Sequence, residues 1–241
     1  MKWFIKESDH YIFHVHYGSL AQKDLDEIID YQEHCLRYML KVLKLNLDDK
    51  IQYFLCESLD EVGMYYGDYI PCSGFTRDPF EIYVVYNKKQ KSIGFHQDAL
   101  LIANLINRPS VVGIREGFAM FFNKKWFGLE NVEWVLYALE MNQYVSIQRL
   151  MKNEYFYDYD PYLTYPIVGA FTQYLIMTYG MEKYLSFYRL NEVSVNKRFK
   201  DIYGEGLKTI ENEFLGYIQL FKLDYVIKER ILELINVKDH R

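Results

Sequence analysis

The hydrophobic periodicity of the chain changes near residue 90, and this change limits the folds that the chain can adopt. Before residue 90, several short stretches alternate apolar and polar side chains, which is the pattern of half-buried strands. Residues 3–16 show this alternation twice, on either side of a polar turn at residues 8–10, and therefore predict a hairpin. The other predicted strands of this part lie at residues 51–55 and, once or twice, within residues 74–86.

Two helices are predicted among these strands. Ser19 with Gln22 three residues later is typical of a capping box, and the apolar stripe that follows predicts one long amphipathic helix ending near Lys44. Ser58 is placed to cap a second, short helix that reaches about Tyr66. The first 90 residues therefore combine a small mixed sheet with a long helix.

After residue 90 the periodicity is almost entirely helical, with breaks near residues 108–109, 128, 158–161, 180 and 204. The sequence predicts an α+β fold, in which residues 1–90 form an N-terminal sheet and helix subdomain and residues 91–241 form a mainly helical subdomain. No polar linker separates the two parts, so we expect one continuous unit.

Charge and composition exclude several classes of protein. The 241 residues include 33 acidic and 28 basic side chains, and the net charge of −5 argues against nucleic acid as a partner. No apolar run approaches the roughly 20 residues of a membrane helix, and charges interrupt the N-terminus where a signal peptide would need an apolar core. Three cysteines without metal-ligand spacing predict free thiols. We therefore expect a cytoplasmic protein with no membrane partner.

Three motifs outside the main candidate site favour structural roles. His14 and His16 lie on one face of a predicted strand, with His10 in the turn, but no third metal ligand is evident there. Asp158 and Asp160 are typical of a solvated loop before a proline. The glycines of residues 204–206 lack the frame of a phosphate-binding loop and predict that one helix stops and another starts.

Two predicted helices, at residues 92–106 and 110–122, contain the candidate site. The segment 94–102 reads GFHQDALLI and the segment 113–122 reads GIREGFAMFF. This pair resembles the active-site helices of the gluzincin metallopeptidases, the thermolysin-like and aminopeptidase-N-like enzymes. In that family the first helix carries H-E-x-x-H, in which two histidines bind zinc and the glutamate activates water, and a glutamate of the second helix is the third ligand. Glu116 matches this third ligand.

The resemblance extends over most of the chain, although only the segment around Glu116 is specific by itself. The order of hairpin, long helix, strand and short helix before residue 90 is similar to the family's, as are the segments 165–185 and 199–218. The resemblance implies that Tyr165 occupies the position of a tyrosine that stabilises the oxyanion, while the abundance of tyrosine, 24 in the chain, favours packing as its role.

Two positions depart from the family pattern. When His96 is aligned with the first histidine, Gln97 stands where the family has its glutamate and Leu100 stands where it has its second histidine. Gln97 cannot accept a proton near neutral pH, and Leu100 offers no ligand atom. His96 and Glu116 alone fall short of the three protein ligands of a catalytic zinc site, so no metal or other cofactor is expected.

These departures leave two interpretations open. The favoured one is a pseudopeptidase, whose former active-site cleft is vestigial or binds a peptide or protein segment. The alternative is a zinc-dependent metallopeptidase whose site is completed by another ligand. In the first interpretation His96 is a core histidine paired with Glu116, and Glu116 is paired with His96 or Arg115 or is held protonated.

Overall fold

The computed structural model describes residues 2–189 and 194–238, and the chain divides into two compact units, Met1–Ile102 and Ala103–Arg241. The predicted α+β class is confirmed, because a five-stranded mixed sheet in the first unit is followed by helices. The division falls inside a helix, after Ile102, and the predicted boundary near residue 90 stays a prediction. None of the described helices has both the length and the apolar composition needed to cross a bilayer.

The first unit contains five strands and the beginning of a fourth helix. Its elements are β1 (Trp3–Glu7), β2 (Tyr11–His16), α1 (Leu20–Lys23), α2 (Leu25–Leu43), β3 (Ile51–Cys56), α3 (Leu59–Tyr66), β4 (Gly74–Arg77), β5 (Glu81–Val85) and α4 (Phe95–Ile106).

The sheet has the strand order β1-β2-β3-β5-β4. The predicted hairpin is confirmed, since β1 pairs with β2 in antiparallel register. The three central strands β2, β3 and β5 run parallel, and β4 pairs antiparallel with β5. Alternation along β2 buries Tyr11, Phe13 and Val15 completely on one face of the sheet. The antiparallel strands β1 and β4 are therefore the two edges of a mixed sheet.

A row of rings crosses the opposite face of the sheet. His14, Phe54, Tyr83 and Phe75 are neighbours in register on β2, β3, β5 and β4. Their ring centroids lie 4.2, 4.4 and 4.8 Å apart, with interplanar angles of 12°, 5° and 7°. Cross-strand pairs of this kind stabilise a sheet beyond the area that they bury. The aromatic alternation of the strands thus supplies the packing between them.

The long helix differs from its prediction at one point. Ser19 accepts a hydrogen bond from the backbone N–H of Gln22, as predicted, but α1 ends at Lys23 and α2 begins at Leu25. The helix α2 ends as predicted, at Leu43, with the next residue in the left-handed conformation. Ser58 caps α3 as predicted.

The second unit is helical apart from one short hairpin. Its elements are α5 (Val112–Asn123), β6 (Lys125–Trp126), β7 (Leu129–Glu130), α6 (Asn131–Glu140), α7 (Ile147–Leu150), α8 (Asn153–Phe156), α9 (Pro161–Tyr179), α10 (Met181–Arg189), α11 (Val195–Tyr203), α12 (Leu207–Ile218) and α13 (Tyr225–Lys238).

The predicted helix breaks are confirmed by the conformations found there. Gly180 follows α9 and Gly204 follows α11, both with positive φ. Gly206 precedes α12, so residues 204–206 do end one helix and begin another. At the break near residue 128, Phe127 and Gly128 both have positive φ and form the two-residue turn between β6 and β7, a hairpin that the helical periodicity did not predict.

Candidate functional site

The first turn of α4 carries the residues that the sequence aligned with the first zinc helix. His96 and Gln97 are half-buried, as is Leu100 one turn later. Between them, Asp98 is completely buried. His96 and Leu100, four residues apart, lie on one face of the helix, whereas Asp98 lies on another face, which points into the core.

Gln97 lies against the edge strand β4. A Cβ added to Gly74 of β4 would be only 3.2 Å from Gln97 Nε2, so the carboxamide packs directly on this strand. The oxygen Oε1 of Gln97 is buried and has no hydrogen-bond partner among the described residues. Such an oxygen is costly to leave unpaired.

Asp98 is a fully buried carboxyl group of the first unit. Its Oδ2 accepts hydrogen bonds from the hydroxyl of Tyr11 at 2.5 Å and from Gln32 Nε2 at 2.6 Å. Burial raises the pKa of Asp98 to about 7, although the hydrogen bonds from Tyr11 and Gln32 lower it, and the charge of Glu33 adds a smaller increase. The carboxyl therefore changes its charge near neutral pH.

The network around Asp98 holds the beginning of α4 in place. Gln32 on α2 donates to the carbonyl of Gly94 and accepts from its N–H, both at 2.9 Å. Tyr53 on β3 is also fully buried, and burial together with the charge of Asp98 raises its pKa. Sequence reasoning missed this cluster. The signal for it was a charged residue at a position that faces the apolar side of α4.

In the second unit, α5 places Glu116 in the core with 8% of its surface exposed. The next residue, Gly117, packs against α9, where an added Cβ would lie 2.4 Å from Thr172 Oγ1 and 2.9 Å from the carbonyl oxygen of Val168. Arg115 donates to the carbonyls of Pro109 and Ser110 at 2.7 and 3.2 Å. Glu116 and Gly117, the pair that matches the resembling family, thus lie where α5 and α9 are in close contact.

Tyr165 on α9 lies near Glu116. Burial raises the pKa of Tyr165, and the charge of Glu116 raises it further. Its ring stacks on Trp126 with centroids 5.2 Å apart and an interplanar angle of 2°, and meets Phe156 edge-on at 5.6 Å. These ring contacts give Tyr165 a packing role. The effect of Glu116 on its pKa shows that Tyr165 also lies near the carboxylate that the resemblance aligns with the third zinc ligand.

The structure thus brings Glu116 and Tyr165 together within the second unit, and it places His96, Gln97 and Leu100 within the first. The pairing of His96 with Glu116 stays a prediction. The resemblance leaves two ligand side chains, His96 and Glu116, where a catalytic zinc ion has three, and the expectation that no metal is bound stays a prediction. Across residues 2–189 and 194–238, no group of three or more His, Cys, Asp or Glu side chains is arranged to hold a metal ion.

The other motifs of the sequence have local partners. His10 Nδ1 lies 2.7 Å from Glu33 Oε2, His14 Nε2 lies 2.7 Å from Gln52 Oε1, and His16 Nε2 lies 2.5 Å from Glu61 Oε1. The three imidazoles thus contact three different side chains and do not share one site.

Two carboxylates near these motifs have structural roles. Burial raises the pKa of Glu33, but hydrogen bonds from His10 and Ser8 outweigh this effect and leave the pKa lowered. Asp160 caps α9 by accepting from the N–H of Tyr162.

Comparison of the sequence with models of known protein families and with curated proteins gave no match.

Proposed function

We propose that this protein is a metallopeptidase-like protein without peptidase activity, which binds an extended peptide or protein segment at the edge strand β4 beside Gln97. The observation that carries the proposal is the carboxamide of Gln97, whose Nε2 lies close to Gly74 of this edge strand and whose buried Oε1 has no partner in the described part of the chain. A peptide N–H is a donor that suits this oxygen.

The geometry of β4 supports the proposed ligand. β4 is the last strand in the sheet order, so on its outer side no other described strand pairs with it. An open edge can add an extended peptide through main-chain hydrogen bonds. Phe75 lies on this strand, and Tyr66 contacts its ring edge-on at 5.1 Å, so an apolar surface adjoins the edge.

The residue chemistry supports the loss of catalysis. A peptidase of the resembling family needs a general base next to the metal, and a carboxamide cannot take a proton at neutral pH. Leu100 stands where that family has its second histidine, so a metal ligand is missing from the same helix face. Gln97 keeps hydrogen-bonding capacity without acid–base chemistry, which suits a residue that holds a peptide and does not cleave it.

The test is a binding measurement that also detects cleavage. A pool of fluorescein-labelled decapeptides of mixed sequence is incubated with the purified protein, binding is read by fluorescence polarisation, and the peptides are then examined by mass spectrometry. We expect binding without cleavage, with or without added zinc. We expect Gln97→Ala to weaken binding about fivefold, the effect of about one hydrogen bond.

The matched control is Gln173→Ala on α9, which removes a carboxamide far along the chain from β4 and leaves binding unchanged. Absence of any binding would contradict the proposal. Cleavage that stops with a chelator and is lost in His96→Ala would instead establish the zinc peptidase.

A further inference from the structure

The second unit contains an open cleft of about 540 Å³. The loop between α6 and α7, the helix α7, the beginning of α9 and the helix α13 contribute its lining. Its volume falls in the range of about 300–1,000 Å³ in which proteins bind small molecules. Val145, Leu163 and Ile235 are the aliphatic side chains of the lining, so the apolar part of a ligand can leave water there.

A cation lines the same cleft. Arg149 on α7 has an exposed side chain, and its Nη1 donates to the hydroxyl of Tyr159 at 2.5 Å. Tyr159 is also a residue of the cleft. None of the carboxylates in the described part of the chain pairs with this guanidinium. The cleft therefore holds a positive charge that the protein itself does not neutralise at close range.

Arg149 and Tyr159 together offer adjacent hydrogen-bond donors. The hydroxyl of Tyr159 accepts from Arg149 and makes no other hydrogen bond to a described group, so its own proton can be donated to a ligand. The guanidinium has five N–H donors, and Tyr159 takes one of them. A carboxylate suits this pair, because it carries the opposite charge and its two oxygens can accept from both side chains.

The wall that carries Arg149 is fixed by hydrogen bonds from within the unit. Glu211 on α12 is buried and accepts from the hydroxyl of Tyr144 at 3.0 Å and from the N–H of Ile147 at 2.6 Å. Ser146 caps α7 by accepting from the N–H of Arg149. A ligand would thus meet a preformed site, which lowers the cost of ordering it on binding.

The charge of Asp160 limits which anions fit the cleft. Asp160 lies in the lining, and its Oδ1 accepts from the N–H of Tyr162 at 2.9 Å, at the beginning of α9. The positive end of this helix offsets part of the negative charge. The remainder repels a doubly charged phosphate ester more strongly than a singly charged carboxylate. The lining therefore favours a monoanion.

We propose that this cleft binds a small carboxylic acid with an apolar body. The carboxylate accepts from Arg149 and Tyr159, and the apolar body lies on Val145, Leu163 and Ile235. The site lies in the second unit and does not depend on the peptide edge at β4.

A series of matched ligands tests the two halves of this site on the purified full chain. Hexanoate has the charge and the apolar body, acetate has only the charge, and hexanamide has the same body without the charge. Titrations followed by saturation-transfer difference NMR give the Kd of each. We expect hexanoate to bind about tenfold or more tightly than acetate and than hexanamide, because each of these lacks one half of the interaction.

Two variants remove the donors. Arg149→Met replaces an exposed charge by an apolar chain, so we expect it to fold and to weaken hexanoate binding about tenfold. Tyr159→Phe keeps the ring and loses only the hydroxyl, and should weaken binding about fivefold. Arg230→Met is the matched control, because Arg230 is exposed on α13, pairs with Glu233 and does not line the cleft, so binding should not change.

Four results would overturn the proposal. The first is no binding of hexanoate at millimolar concentration, and the second is hexanamide binding as tightly as hexanoate. The third is a Kd for hexanoate that is the same in the wild type and in Arg149→Met. The fourth is tighter binding of pentyl phosphate than of hexanoate, which would show that the site selects a phosphate ester and not a carboxylate.

Discussion

At the residue scale, Gly117 sets the distance between two helices. The backbone of α5 approaches α9 so closely at this position that any side chain would meet Thr172 and Val168. Gly169 on α9 is equally close to α5, since a Cβ there would lie 2.6 Å from the Cβ of Met120. Close approach of two backbones is what glycine permits and other residues prevent. The position of Glu116 on α5 therefore depends on the glycine that follows it.

We expect Gly117→Ala to lower the free energy of unfolding by about 1–3 kcal/mol, because the added methyl group must displace Thr172 or the carbonyl of Val168. Urea denaturation followed by circular dichroism measures the change.

The matched control for Gly117→Ala is Gly216→Ala on α12, where an added Cβ meets nothing within 4 Å. Because this glycine lies at an exposed position within a helix, we expect the control to raise the free energy of unfolding by up to about 1 kcal/mol. Equal effects of the two substitutions would show that the helices are not in close contact at Gly117.

At the element scale, Asp98 joins α4 to β2 and α2 through Tyr11 and Gln32. Its buried carboxyl replaces an apolar side chain that the periodicity of α4 would favour at this position. A protonated carboxyl is accommodated there more easily than an ionised one, because burial penalises the charge. The junction of three elements is therefore sensitive to pH.

The sign of this dependence follows from the pKa of Asp98, about 7 in the folded state and 3.8 as the ordinary value. The contribution of the neutral carboxyl is fully present below about pH 4 and is lost as the pH rises through about 7. Over this window the free energy of unfolding falls by up to about 1.4 kcal/mol per pH unit. We expect Asp98→Asn to flatten this fall in urea denaturation between pH 4 and pH 8.

The variant Tyr11→Phe tests the pKa of Asp98 in a second way. The hydroxyl of Tyr11 lowers the pKa of Asp98, so its removal should raise that pKa and extend the fall to higher pH. A wild type and an Asp98→Asn variant with the same slope would mean that the carboxyl does not titrate in this window.

At the scale of the whole molecule, the residues of the resemblance are divided between two units. His96, Gln97 and Leu100 belong to the first unit, and Glu116 belongs to the second. A gluzincin site would need ligands from both. Whether the chain retains that arrangement is testable by restoring the two side chains that differ from the family pattern.

We expect the double variant Gln97→Glu, Leu100→His to be less stable than the wild type without metal, by about 1–2 kcal/mol, because a half-buried leucine is lost. Zinc should then raise its Tm, since binding to the folded state alone stabilises that state. The measurement is a thermal melt with and without zinc, and it includes the wild type, which should not respond.

The control adds Glu116→Gln to the double variant and should weaken the zinc response by removing the third ligand. A double variant that does not respond to zinc would mean that His96 and Glu116 are not in gluzincin register.

The sequence by itself determined the features that depend on near neighbours. The hairpin before residue 16, the caps at Ser19 and Ser58 and the helix ends at Gly180 and Gly204 were all predicted, because periodicity, capping and backbone conformation act over a few residues. The identity of two residues also showed by itself that Gln97 cannot act as a general base and that Leu100 cannot bind a metal.

Only the tertiary structure decided which distant residues meet. The strand order and the burial of Asp98 against Tyr11 and Gln32 depend on contacts between segments far apart in the chain, and the burial of Arg198 on α11 beside the ring of Phe187 depends on the neighbouring helix α10. A local pattern predicts that a charged residue is solvated, because charged side chains are rarely buried. Asp98 is buried among hydrogen bonds from Tyr11 and Gln32, and Arg198 beside the ring of Phe187, and these neighbours belong to other elements of the fold. No pattern of near neighbours therefore predicted the burial of these two groups.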